Sequence, residues 1–499
     1  RNGKAWTQFN KPALAGADNW SHCEKNPSNK PVSKDKVIKA PYMTQFMAGP
    51  FYIGMPAGTT AAGGRTFLAV GHIAHHKREW NMLNKLIARN GYNGRILWTR
   101  DLPEGYLVHR SAFIATSDLF YILMGNQCIK LDAQTGEVKG TIRIPKLEGE
   151  WKWMVMQNDV LYVLAGKKDP KVQTTKGDRD FGGWSWADLS KGYYGKNGIY
   201  NRSSIPWGFG QNLAAYDMKN KKTLWTRSSE QIIDSRSLAL LNDRMFAMSP
   251  GSLVCLSTKT GKDIWVSRDE KVINLIREPG RRLTSTPGFK TQCLTVATPK
   301  ALIIQGQTKM NVVAVSTESG KLLWSKRKVT NNPNAIFVDG KVIVGVGRGG
   351  SHVVLDPVSG KEIENLGFRK RACTRLTASD DSFFCRGEGM MRFDRQSQKM
   401  WIDGSARPAC NDGAMPANGM LYLGPWQCDC NLSLIGNLAR CSAGDFTFNF
   451  VAKDKERLIT QGLKAKELEV SSKDWPTYRA NNARGSGTST SVLTPFGVE

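Results

Sequence analysis

The sequence reads as an all-β protein, an eight-bladed β-propeller of four-stranded antiparallel blades with loop insertions and non-repeat terminal segments. Three observations carry this. First, one phrase recurs, with an apolar strand, a tight turn and a second apolar strand; its fullest form is Leu213-Ala214-Ala215-Tyr216-Asp217 to Thr223-Leu224-Trp225. It returns around Leu131-Asp132, Val254-Cys255-Leu256, Val313-Ala314-Val315 and Val354-Leu355-Asp356. Second, its turn residues (Gly94, Gly136, Lys221, Gly261, Gly320, Gly360 and Gln398) step by 42, 85, 40, 59, 40 and 38 residues. A period near 40 fits four-stranded blades, and the two long steps fit loop insertions. Third, a Trp follows the turn at positions 98, 225, 265 and 324, where it is expected to pack between neighbouring blades. Trp401 sits one position out of phase, and the units at Gly136 and Gly360 lack the Trp.

Taken in order, residues 1–66 do not repeat and are expected as a loop-rich lead-in packing on the propeller. The propeller is expected over 67–446, WD40-like in architecture. Its first unit holds Thr66-Phe67-Leu68-Ala69-Val70, and its eighth holds Met420-Leu421-Tyr422-Leu423 and Leu434–Leu438. Short β-branched and aromatic runs bounded by Gly, Asn and Asp are the strand signal. An insertion over about 168–210 is rich in Gly and aromatics, including Trp184, Trp186, Tyr193, Tyr194 and Trp207. A self-packed cap and an aromatic wall over a ligand or partner both fit it. Residues 447–473 form a charged linker with part-helical character. Residues 474–499, opening with Asp474-Trp475-Pro476, read as a closing strand or the start of a further propeller.

The 499 residues are 40% hydrophobic and 23% charged, a globular composition with enough chain for a large core. No run of about 18 apolar residues marks a membrane span, and no signal peptide is visible. The chain begins at Arg1 rather than Met, which reads as a processed or excised product. Lys and Arg outnumber Asp and Glu 70 to 43, a net charge of +27. Such a field favours an anionic protein or glycan partner, in a homo- or hetero-oligomer, while the scattered charges also fit a plain solubilising surface. Without a long basic block, nucleic acid is not the expected partner. The densest cluster is Arg369-Lys370-Arg371 to Arg375. Arg369, Lys370 and Arg371 of this cluster, together with Trp184, Trp186, Tyr193 and Tyr194, are the candidate partner surface.

Ten cysteines point to an oxidising, extracytoplasmic compartment: periplasm, cell envelope or exterior. Cys373 and Cys385 flank an expected hairpin and are a candidate disulfide pair. Cys410, Cys428, Cys430 and Cys441 read as further disulfide candidates, with zinc and free buried thiols as alternatives. In Cys428-x-Cys430, strand alternation points both side chains the same way, so each is expected to pair with a different partner. His72, His75 and His76 stand close enough in sequence to suggest a transition-metal site, against ordinary hydrogen-bonded histidines.

The Asp … Thr-Gly-Lys-x-x-Trp units resemble the pyrroloquinoline-quinone (PQQ) repeat propellers. These include quinoprotein alcohol dehydrogenases and the BamB-type outer-membrane assembly propeller. Arg407–Gly413, Pro416–Tyr422 and Pro425–Cys430, with Gly16–His22, look like the large envelope propeller proteins of planctomycete-type bacteria. The dehydrogenase side of the resemblance implies PQQ on the axis above a Trp floor. It also implies Ca²⁺ held by Glu, Asn and Asp oxygens, and a catalytic Asp base. Trp207 is the candidate floor, with a plain core Trp as the alternative. The chain lacks the adjacent Cys-Cys pair of that family, and no carboxylate set maps onto it, so no catalytic residue is assigned. The leading functional expectation is a non-catalytic binding or assembly scaffold. The alternatives are a PQQ- and Ca²⁺-dependent oxidoreductase and an acidic-polysaccharide-binding module.

Overall fold

The computed structural model describes residues 14–444 except 52–54, 107, 109–111, 169–173, 180–207, 277–294, 306–310, 328–334, 346–349, 371–373, 410–411 and 425–435, together with 469–490 except 482 and 484. The chain divides into two compact units, Arg1–Asp445 and Phe446–Glu499. In the second, the described residues are mostly exposed turns, held locally by bonds such as Ser471 N–H to the Asp474 carboxylate (2.8 Å). Among the described residues no helix is long and apolar enough to cross a membrane.

The first unit is an eight-bladed propeller built of eight sheets in chain order, each with four antiparallel strands. Each sheet runs from an axial strand to an outer one. Blade one comprises Met55–Ala62, Arg65–His76, Lys85–Asn90 and Ile96–Asp101; blade two runs from Phe113–Ala115 to Val138–Ile142. Blades three to seven repeat the order, ending on Lys222–Asp234, Asp263–Ser267, Leu322–Lys326, Glu362–Asn365 and Met400–Asp403. The core is a series of layers between neighbouring blades rather than one central mass. For example, Trp153, Leu164 and Leu213 of blade three meet Leu240, Met245 and Leu256 of blade four. Each blade has two apolar faces, so only a closed ring buries them all.

Closure comes from the segment that the sequence reading assigned to the lead-in. Blade eight takes its first three strands, Met415–Ala417, Met420–Leu423 and Asn437–Ser442, from the end of the ring. Its outer strand is Tyr42–Ala48, paired antiparallel from Tyr42↔Ser442 to Ala48↔Asn437. Met55–Ala62, the axial strand of blade one, also lies inside residues 1–66. Tyr42–Ala48 lacks the turn phrase because no preceding strand turns into it, so the repeat search had nothing to find there.

The turns explain the phrase. Asp132, Asp217 and Asp356 accept from the backbone N–H groups two and three residues ahead, at 2.7–3.0 Å. These bonds hold the three carboxyls below the usual range, the N–H of Thr135, Asn220 and Ser359 being the largest cause in each. The turn residue that follows has positive φ: Gly136 at 75°, Gly261 at 68°, Gly320 at 69° and Gly360 at 67°. The Trp of one blade lies on the turn glycine of the next: Trp98 on Gly136, Trp225 on Gly261, Trp265 on Gly320 and Trp324 on Gly360. Each indole N–H also donates to the carbonyl three residues before that glycine, at 2.8–3.2 Å. The expectation that these Trp residues pack between blades therefore holds.

The insertion in blade three contributes Thr175–Arg179, which pairs parallel with Arg65–His76 and gives blade one a fifth strand. Asn84 donates to Thr174 (2.9 Å), and Lys176 lies 5.5 Å from the Trp80 ring centre.

Candidate functional site

The axis is where a propeller places its ligands most often, because all the short first strands converge there. Here one end of it is taken by the chain itself. Residues 18–35 visit the axial ends of all eight blades in order. Trp20 exchanges both backbone bonds with Ala61 of blade one (2.6 and 2.9 Å), and the Ser21 carbonyl accepts from Ala115 of blade two (2.8 Å). The His22 Nε2 accepts from the backbone N–H of Met156 in blade three (3.2 Å). Pro27 and Ser28 carbonyls accept from Leu240 and Ala297 of blades four and five (2.8 and 3.1 Å). The Asn29 amide spans the same two blades, donating to Leu238 and Thr295 carbonyls (2.9 Å each). The Lys30 ammonium lies 5.1 Å from the Phe337 ring centre of blade six. Pro31 and Ser33 bond both ways with Ala378 of blade seven (3.0 and 2.8 Å). Asp35 Oδ2 accepts from Gly419 of blade eight (2.7 Å).

The segment then closes on itself. Lys36 N–H donates to Gly16 (2.9 Å), Lys34 N–H to Asp18 (2.7 Å), and Lys25 pairs with Asp18 (2.9 Å). Burial raises the Asp18 carboxyl, but Lys25 and the Lys34 N–H outweigh it and hold the carboxyl below its usual range. A small ring thus sits inside the large one.

Above this ring the side chains interlock. Glu24 forms an ion pair with Arg375, both almost fully buried. Arg375 also donates to the Cys23 and Asp412 carbonyls (2.6 and 2.7 Å), and its guanidinium lies 5.4 Å from the centre of the buried Trp20 ring. Trp20 Nε1 donates to the same Cys23 carbonyl (3.1 Å), and Thr59 donates to the Asp412 carboxylate (3.2 Å). A Cβ on Gly58 would stand 3.3 Å from Cys23 Sγ.

The expected site residues fall elsewhere. His72 is fully buried in Arg65–His76, and burial lowers it to about 3. His75 and His76 end the same strand, their side chains outside the description. Among the described residues no three His, Cys, Asp or Glu side chains gather as metal ligands. Trp184, Trp186, Tyr193, Tyr194, Trp207, Arg371, Cys373, Cys410, Cys428 and Cys430 all lie outside the described residues. Of the basic cluster, Arg369 is exposed, Lys370 donates to the Thr374 carbonyl (3.0 Å), and Arg375 turns inward to the axis.

Two disulfide expectations are corrected. Cys385 carries a free thiol inside the layer between blades six and seven. Cys441 carries a free thiol on blade eight, opposite Met43. Cys128 and Cys255 are likewise free and buried. Burial pushes Cys255 and Cys385 up to about 12, so these thiols act as small apolar side chains. Nothing in the count of cysteines distinguishes a core thiol from half of a disulfide.

The described axial residues do not fit a PQQ–calcium site. Arg375 takes Glu24, Thr59 donates to Asp412, and Asp35 accepts four backbone N–H bonds. Trp20 and Glu24 carry no assignment from sequence, and Arg375 reads there only as the end of the basic cluster, because nothing marks an acid in a loop as the partner of an arginine 351 residues on.

No curated protein sequence matches the chain. Among solved structures, BamB from Moraxella catarrhalis aligns at 14% identity and a TM-score of 0.38, covering 71% of this chain and 98% of its own. A europium-containing methanol dehydrogenase aligns at 10% identity and 0.46, covering 81% and 87%. Quinohemoprotein alcohol dehydrogenase from Comamonas testosteroni aligns at 10% identity and 0.47, covering 85% and 80%. Residues 209–366, from the third strand of blade three through blade six, match the family model described as outer membrane protein assembly factor BamB, and this bears out the resemblance to PQQ-like repeat propellers read from the turns.

Proposed function

We propose that this propeller is a non-catalytic binding or assembly scaffold of an extracytoplasmic compartment, engaging an anionic protein or glycan through its basic surface. The observation that carries the reading is the inner ring of residues 18–35. It commits one end of the axis to holding the eight blades together, and so moves the expected binding function to faces and rim. The net charge of +27 supplies the attraction for an anionic partner. The match of residues 209–366 to the assembly-factor model supports an envelope setting. The fold is equally compatible with a quinoprotein dehydrogenase, since propellers host unrelated functions.

The test is a paired measurement on natively purified protein. Ultraviolet–visible spectroscopy and native mass spectrometry ask whether PQQ is bound. Binding to immobilised polyglutamate and to an acidic glycan is followed from low to high salt. The scaffold reading expects no quinone absorbance and salt-sensitive capture by at least one acidic surface. Stoichiometric PQQ with dye-linked alcohol oxidation would overturn it.

A further inference from the structure

The seam where the ring closes, between blades eight and one, carries a cleft of about 470 Å³. This lies within the range of small-molecule sites. Its walls include Phe51, Arg78, Glu79, Met82, Arg89 and Ile96. Arg89 stands on the third strand of blade one and is only 4% exposed. Its two terminal nitrogens donate to the Gly94 and Gly49 carbonyls, and among the described residues no carboxylate pairs with it. A guanidinium has five N–H donors, and two carbonyls leave its charge uncompensated. A buried cation of this kind is costly without an anion.

The rest of the lining narrows the ligand. The buried cation at the cleft is the single guanidinium of Arg89, which suits a monoanionic head group. Phe51 is 51% exposed and Ile96 38% exposed at the rim, with Met82 partly buried against Leu68, Val70 and Ile87. Apolar rings and chains left open beside a buried cation match a molecule that is apolar at one end and anionic at the other. Burial lowers Arg89 toward about 10, the direction expected of a cation short of counter-charge.

We propose that this cleft binds an amphiphilic carboxylate, its head at Arg89 and its apolar part against Phe51, Met82 and Ile96. Two sources share that chemistry: a fatty acid, and a peptide ending in an apolar residue with a free carboxyl. The inference does not rest on the scaffold reading, because the seam is remote in role from the axis and from the general basic surface.

Isothermal titration of the full chain with decanoate, and separately with acetyl-Ala-Ala-Phe, tests it; decanol and the peptide amide are the controls. Saturable binding of one carboxylate, about tenfold or more tighter than its neutral control, is expected. Which of the two binds identifies the source. Failure of both, or equal binding of the neutral controls, overturns the proposal. Arg89→Gln should abolish the preference for the carboxylate, with the fold checked by circular dichroism. Should that variant not fold, Ile96→Glu sets a negative charge at the exposed rim and should weaken carboxylate binding about tenfold. Unchanged binding in a folded Arg89→Gln or Ile96→Glu protein also overturns it.

Discussion

A Cβ atom placed on Gly136 would stand 2.6 Å from the Trp98 ring, so these two residues of neighbouring blades can coexist only while position 136 has no side chain. The same distance recurs for Gly261 with Trp225, Gly320 with Trp265 and Gly360 with Trp324. At the closing seam Phe46 takes the place of the Trp, 2.5 Å from a Cβ on Gly94. The rule also holds in its absence. Blades two and six have no Trp in their outer strands, and the turns that follow carry Lys221 and Gln398 at φ 53° and 55°. Glycine is thus kept at this turn where an aromatic ring lies on it, and positive φ alone does not demand it.

Gly136→Ala and Gly320→Ala should therefore cost about 2–4 kcal/mol each, from left-handed backbone strain and overpacking together. Lys221→Gly and Gln398→Gly should be near neutral or stabilise slightly, since they relieve the strain and meet no ring. Urea midpoints of the four variants check this. Equal losses at all four positions would show that the ring contact does not set the choice of residue.

Trp401 provides the opposite case. It pairs with Arg392 at the rung where the other outer-strand Trp residues face Ala88, Ala215, Cys255 and Ala314, but its turn lacks the extra bulge residue. Blade eight offers no turn to receive it, because its outer strand enters from the other end of the chain. Trp401 is accordingly 58% exposed, against 8% for Trp225. Trp225→Ala should cost about 3–5 kcal/mol and Trp401→Ala less than about 0.5 kcal/mol. Thermal melts of the two variants, run side by side, decide it; matched losses would contradict the docking account.

These contacts also mark what the sequence made legible. The turn phrase, its 40-residue step and the Trp positions are local signals, and they were enough to place seven turns and eight blades. Trp401 is one position out of phase in the sequence itself. Phe46 and the closing strand were not legible, because their partners are about 400 residues away and the strand has no turn of its own. The inner ring was hidden for the same reason: carbonyls of Pro27, Ser28 and Pro31 do its work, and a backbone carbonyl carries no residue signature. Cys385 is a free core thiol rather than half of a disulfide, and spacing does not show this, because burial, which keeps a thiol apolar, cannot be read from it.

The Glu24–Arg375 pair ties the inner ring to the mouth of blade seven. Glu24→Leu or Arg375→Met alone leaves a buried charge without its partner and should cost about 3–5 kcal/mol. The double variant Glu24→Leu/Arg375→Met removes both charges and should recover much of that loss. Its recovery stays partial, because Arg375 also holds the Cys23 and Asp412 carbonyls. A double-mutant cycle on denaturant midpoints reads the coupling directly. Additive losses would mean that the two residues do not act as a pair.

Buried histidines set the acid limit of the fold. His352 is fully buried, stacked on Phe368 at 4.2 Å between ring centres, and burial lowers it to about 4 against a smaller upward pull from the Phe368 carbonyl. Burial lowers His72 to about 3; His22 is lowered to about 3 by burial and then by Lys25. In His22 the Nε2 already accepts the Met156 N–H, so a proton there breaks a bond between the inner ring and blade three. The sign follows from the depressed values. Above about pH 6.5 all three are neutral in both states and stability is full. Between that point and about pH 4 the unfolded chain binds protons that the folded chain refuses, so stability falls as pH falls. Each group contributes up to about 1.4 kcal/mol per pH unit across this window. Urea midpoints should hold from pH 7.5 to near pH 6.5 and then decline down to about pH 5, above the range where carboxylates titrate. His352→Gln should flatten the decline by about one proton's share, and an unchanged slope in a folded His352→Gln protein would remove that histidine from the account.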